Sequence, residues 1–341
     1  MVGVLPGLSR YRLALLGLLL LLPLALLLGA GFGAYPIPLS AIPGILLRGE
    51  GVEYQVLTAL RFPRVLGAAL VGGLLALAGA VLQGLFRNPL VDPGLIGVSS
   101  GAALGAALFI VLVPEAGPLE VYALPLFAFL GGLLATSLLW RLAQSPWGTQ
   151  VTILLLSGIA LNALVGAGIG LLTFLATEEE LRSLTFWTLG GFSALTWRLL
   201  LAGLPLALLA LLLLFPLARP LNALALGERE AFHLGVDLEN LKRRAVAGSA
   251  LGVGVAVALA GGVGFLGLVA PHLFRLLAGP DHRWLLPGSF LLGASLAVLA
   301  DLLSRTLVAP AELPVGVVTA LLGGPFFLYL VLRHKREVYR A

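Results

Sequence analysis

Apolar residues run along this chain in long blocks. They do not show the alternation of a half-buried strand or the narrow stripe of a surface helix. Ten blocks have the length of a membrane crossing: 13–33, 65–86, 94–113, 121–140, 152–175, 198–217, 246–262, 264–280, 285–304 and 314–332. About 20 apolar residues span the hydrocarbon core as a helix. A backbone facing lipid must satisfy its hydrogen bonds within its own segment, so each block is predicted to be helical. The expected fold is all-α, a polytopic bundle of about ten transmembrane helices forming a single domain over 1–341. Two boundaries rest on local chemistry. The nearly continuous stretch 65–113 is broken by Arg87-Asn88-Pro89 and Asp92-Pro93-Gly94, because proline cannot continue the helical ladder. The stretch 246–280 is interrupted only by Gly261, Gly262 and Gly264.

Charge decides the second case. Lys242, Arg243 and Arg244 mark an inner loop, and Arg333, Lys335, Arg336 and Arg340 mark an inner tail, since basic residues concentrate on the cytoplasmic side. Both lie inside only if 246–280 crosses twice. With ten spans, six of the 21 basic residues fall outside: Arg48, Arg61, Arg64, Arg182, Arg198 and Arg305. The expected topology has both termini cytoplasmic. Arg10 and Arg12 precede a first apolar run that is longer than the core of a signal peptide, so it reads as a span and not a cleaved leader.

An internal repeat fits the same count. Shifted by 182 residues, Ala76-Leu77-Ala78-Gly79 matches Ala258-Leu259-Ala260-Gly261, Arg61 matches Arg243, and Pro89 matches Pro271. The copies (about 61–195 and 243–332, spans 2–5 and 7–10) lie an odd number of spans apart. They are therefore expected to be inverted, as in many transporters.

Composition narrows the function. Of 341 residues, 60% are hydrophobic and 11% charged, too few charges to coat a soluble domain. The net charge of +5 reads as basic inner loops at a bilayer, with no nucleic-acid partner implied. There is no cysteine, and four scattered histidines offer no metal-ligand spacing, so no metal or cofactor is expected. Neither lysine, Lys242 or Lys335, follows a glycine, so a phosphate-cradling P-loop is missing and the chain is not expected to be an enzyme. No acidic residue is placed mid-span, which disfavours an ion-coupled secondary transporter. Gln83 and Asn162 are polar groups within spans, either lining a pathway or bonding between helices. The longest inner loop, 219–244, contains Gly227-Glu228-Arg229-Glu230-Ala231-Phe232-His233-Leu234-Gly235, a short helix on which Ala231 and Leu234 are expected to share a face.

Several of these segments resemble one family. Arg61-Phe62-Pro63-Arg64, Gly79 to Gln83 running on to Arg87-Asn88-Pro89-Leu90-Val91-Asp92-Pro93-Gly94, Leu226-Gly227-Glu228, Gly264 to His272, and Ala300-Asp301 are similar to the FecCD-type permeases. These are the transmembrane subunits of ATP-binding-cassette (ABC) importers for iron-siderophore, haem and cobalamin. The resemblance implies a homodimer in the inner membrane, with two separate ATPase subunits inside and a periplasmic or lipid-anchored binding protein outside. It implies that Arg61, Arg64 and Arg305 dock the binding protein. Gly227, Glu228, Ala231, Leu234 and Gly235 would couple to the ATPase, and Asn88, Leu90 and Thr152 would form the inner gate. The cargo it implies first is an iron chelate, with cobalamin as the alternative.

Overall fold

The computed structural model describes residues 6–113, 120–146 and 148–338. Its helices are α1 (Pro6–Gly31), α2 (Ile42–Arg48), α3 (Val52–Gln55), α4 (Phe62–Leu85), α5 (Val98–Leu112), α6 (Glu120–Ala143), α7 (Val151–Leu175) and α8 (Glu178–Leu189). They continue with α9 (Trp197–Leu214), α10 (Ala218–Leu224), α11 (Glu228–His233), α12 (Leu238–Ala260), α13 (Leu266–Leu277), α14 (His282–Thr306) and α15 (Val315–Val338). A two-stranded hairpin, β1 (Gln144–Ser145) and β2 (Gly148–Thr149), joins α6 to α7.

Every predicted block contains a helix, but the ends differ. Helical structure before α4 begins at Val52 and passes through a π-helical stretch, Val56–Arg61. Likewise α12 begins eight residues before the predicted 246 and takes Lys242, Arg243 and Arg244 into its first turns. Charge marks where a helix leaves hydrocarbon, not where it ends. Helix α8, capped by Thr177 and Glu180, lies between two of the apolar blocks, where the pattern predicts no span.

Among the described residues, seven helical stretches are long and apolar enough to cross a membrane, while α5, α13 and the apolar part of α15 are shorter. At 1.5 Å per residue, the 12 residues of α13 rise only about 18 Å, against roughly 30 Å of hydrocarbon. Between α12 and α13 the chain turns at Gly261 (φ 66°) and at Phe265, a non-glycine residue at φ 65°. The chain then returns to the end it came from. Arg10 near the start of α1 donates to the Leu277 carbonyl at 2.8 Å, and Asn222 of α10 donates to Asp281 at 2.7 Å. The glycine-marked break and the double pass are therefore both present.

The core is built around α4, which packs on α12, α13 and α14, while α12 packs on α6 and α9. Glycine permits the closest of these approaches. A Cβ on Gly72 would strike the carbonyl of Gly293 in α14, and one on Gly293 would strike that of Gly72. A Cβ on Gly79 would likewise strike the Gly267 carbonyl in α13. Small residues let helices pack by close contact where lipid supplies no hydrophobic drive.

The 182-residue offset brings α4 into register with α12, and the two helices are in contact. It lapses beyond them. Pro89 sits in the loop after α4, whereas Pro271 lies inside α13. Twelve residues connect α4 to α5 (86–97) and five connect α12 to α13 (261–265), so the two prolines do not occupy equivalent places in the fold.

Candidate functional site

One end of the bundle gathers the loop helix α11, the hairpin and the start of α7. The six residues of α11 are flanked by Gly227 (φ 133°) and Gly235 (φ 82°), both in the left-handed region that favours glycine. Ala231 is fully buried, whereas Phe232 and Leu234 are 67% and 64% exposed. This corrects the shared face expected for Ala231 and Leu234. The helix ends at His233, and Leu234 belongs to the turn after it, where helical spacing no longer applies. The outward apolar groups are Leu226, Phe232 and Leu234.

Glu228 at the start of α11 pairs with Lys242 of α12 at 3.1 Å. Lys242 is 8% exposed and also donates to the Thr149 carbonyl at 3.2 Å. Thr149 returns two bonds to the first turn of α12, its N–H to Glu239 at 3.1 Å and its hydroxyl to the same carboxylate. In the sequence Lys242 is one of the chain's two lysines and marks an inner loop. Its role as a hub was not legible, because Thr149 lies 93 residues away. Nearby, burial raises the Asp281 carboxyl, but bonds from Arg283 and Asn222 outweigh it and bring it down to about 2, so it stays ionised.

Of the expected gate residues, Thr152 is exposed in the first turn of α7. Asn88 and Leu90 form a turn in which the Leu90 N–H donates to the Asn88 side chain at 2.9 Å. Gln83 is 2% exposed and bonds between helices. It accepts from Arg275 at 3.0 Å and donates toward the carbonyls of Val91 and Gly267 at 3.4 Å. Of the two readings open for Gln83, interhelical bonding is the one its contacts support. Asn162 differs. It is exposed at mid-span on α7, a helix whose most apolar stretch is only 17% buried. His272 stacks edge-on with Phe326 of α15, ring centroids 5.9 Å apart, and no group of three metal-ligating side chains exists among the described residues.

The opposite end brings Arg61, Arg64 and Arg305 together. Arg61 donates to the carbonyls of Ala30 at 2.6 Å and Gly31 at 2.9 Å, and to that of Tyr35, closing the end of α1. Arg305 donates to the Gly29 carbonyl at 2.6 Å and lies 3.4 Å from Asp301. Arg64 bonds Asp301 at 2.9 Å and grips Glu312 with two bonds of 3.0 Å. Arg61 and Arg305 are each 6% exposed, so both guanidiniums are engaged within the chain. Beside them opens a cleft of about 1060 Å³, bordered by Arg64, Glu179, Glu180, Trp187 and Glu312.

The FecCD transport family matches residues 19–333. The haemin transport permease HmuU of Yersinia pestis is 45% identical over 326 residues, covering 95% of this chain and 96% of its own. The vitamin B12 import permease BtuC of Escherichia coli (strain HS) is 45% identical over 292 residues, covering 85% and 86%. A solved structure described as an inward-facing metal-chelate-type ABC transporter superposes with a TM-score of 0.84 at 38% identity, covering 94% of this chain and 98% of that one.

Proposed function

The chain belongs to the FecCD transport family, as a multi-pass permease subunit of an ABC importer of the metal-chelate, haem and B12 type, and from that premise we propose that its cargo is an iron chelate, haem or a ferric siderophore. The observation that carries the cargo is the near end-to-end likeness to a haemin permease. The equal identity to a B12 permease supports cobalamin as the second reading. The permease works as a homodimer in the inner membrane with both termini cytoplasmic. The exposed face of α7, with Asn162 at its middle, lines the pathway between the copies, and Thr152, Asn88 and Leu90 narrow its inner mouth.

Two ATPase subunits meet the outward groups of the 226–235 loop. The binding protein presents carboxylates to the Arg61, Arg64 and Arg305 end, where Arg64 pairs with Asp301 and Glu312 and Arg305 pairs with Asp301. Arg64 is the reachable member, and the other two hold the rim by fixing α1. ATP is hydrolysed by the partner chain, consistent with a sequence that has no P-loop.

The test is uptake in cells stripped of their own haem, siderophore and cobalamin permeases and supplied with this chain and its partner subunits. Accumulation of labelled haemin or ferric siderophore, abolished by ATP depletion, is the expected result. Accumulation of cyanocobalamin alone transfers the assignment to the second reading. Uptake that survives ATP depletion and collapses with an ionophore makes the chain a secondary transporter.

A further inference from the structure

We propose that Lys242 is a positioning residue that ties the ATPase-facing loop to the first turn of α7, so that movement of α11 is felt at the gate. This rests on the coupling and gate roles proposed above and deepens them. Its ground is one continuous set of bonds. Glu228 opens α11, and its carboxylate meets the Lys242 ammonium at 3.1 Å. The same ammonium donates to the Thr149 carbonyl at 3.2 Å. Glu239, three residues before Lys242 on α12, holds the Thr149 N–H at 3.1 Å and the Thr149 hydroxyl. Every polar atom of Thr149 is thus fixed to the first turn of α12. Thr149 ends the hairpin, Gln150 donates back to the Ala143 carbonyl at 2.9 Å, and α7 begins at Val151. No flexible linker separates the clamp from Thr152.

The chemistry suits transmission. A lysine ammonium carries three donors on a compact charge, so one group can hold a carboxylate and a carbonyl together. Lys242 is buried, so its bond to the Thr149 carbonyl is made away from bulk water, while the Glu228 side of the pair is open to salt. The Glu228 side chain is 47% exposed, so removal of the lysine lets that carboxylate return to water without stranding it. The clamp can therefore be cut without unfolding the loop. Cutting it alters neither Phe232 nor Leu234, the exposed apolar groups of the loop.

The test uses the assembled importer in vesicles, with ATPase and binding protein present. The chain has no cysteine, so Ile153→Cys beside Thr152 gives a single reporter thiol. Its rate of thiol labelling is measured without nucleotide and after trapping with ATP and vanadate, alongside ATP hydrolysis. In the otherwise unaltered chain the rate is expected to change by about threefold or more, the scale of a modest coupling energy. Lys242→Met is expected to keep ATP hydrolysis and lose that change, and Lys242→Arg, which retains the charge and donors, to regain most of it. A Lys242→Met chain that hydrolyses ATP and still shows the full labelling change overturns the proposal. So does a Lys242→Met chain that no longer binds the ATPase, because the lysine would then shape the docking surface itself. If the unaltered chain shows no nucleotide effect at position 153, the gate reading fails first and the clamp falls with it.

Discussion

Asp301 has no solvent access, and its carboxylate lies 2.8 Å from Arg64 and 3.4 Å from Arg305. Replacing it by alanine leaves two cations facing each other in a dry place. Breaking a buried pair from one side costs on the order of 3–5 kcal/mol. Asp301→Ala is therefore expected to lower the unfolding temperature in detergent far more than Glu312→Ala, whose carboxylate is 44% exposed. Equal effects would show that the cluster is solvated. Charge placed these arginines on one side of the membrane among six basic residues, and the family resemblance singled out the three. Neither could show that Arg61 and Arg305 are spent on the carbonyls of Gly29, Ala30, Gly31 and Tyr35. Carbonyls are present at every position and leave no trace in a residue pattern. A charge reversal at Arg61 or Arg305 would thus loosen α1 as well as repel a partner, and one at Arg64 would set a third carboxylate against Asp301 and Glu312, so binding-protein capture at any of the three is read beside thermal stability.

At the scale of elements, the apolar blocks predicted ten membrane helices; each block contains a helix, and among the described residues seven helical stretches are long and apolar enough to cross. Their ends were less legible, because Lys242 and Arg61 sit inside continuous helical structure. The glycine cluster at 261–264 did mark a real break, since Gly261 adopts a conformation that a side chain would strain. Helix α11 shows where periodicity fails. Six residues are too few to define a face, and the expected pairing of Ala231 with Leu234 dissolves at the helix end. Ala231→Asp would bury a carboxylate in the loop and destabilise it, so it cannot report on docking. Phe232→Asp and Leu234→Asp change only exposed groups. If the loop docks the ATPase, each is expected to weaken ATPase capture by about thirtyfold, the scale of a hot-spot residue, while thermal stability stays unchanged. Unchanged capture by both would leave α11 a solvated loop helix.

The whole molecule separates its polar networks to two ends. Lys242, Arg10, Asn222 and Asp281 lie at one, and Arg61, Arg64, Arg305 and Glu312 at the other. The charge-derived topology made the same division, because Arg and Lys counts respond to side and not to contact. Single thiols introduced into the cysteine-free chain should label accordingly, from outside at Glu179 and only from inside at Glu230, both of which are exposed. Labelling of both from one side would overturn the orientation. The fit of α4 against α14 also has a consequence for biosynthesis. Helix α4, 83% buried over its most apolar stretch, owes much of that burial to a helix beginning at His282. Roughly 200 residues must be made in between, which at about 5–20 residues per second takes roughly 10–40 s. During that interval the glycine notch at Gly72 faces lipid or a surrogate companion, since Gly293 has not yet left the ribosome. The nascent chain is exposed to capture by the insertion machinery, or to quality-control proteolysis, for the whole of that wait, and a stop codon before α14 would make the wait permanent.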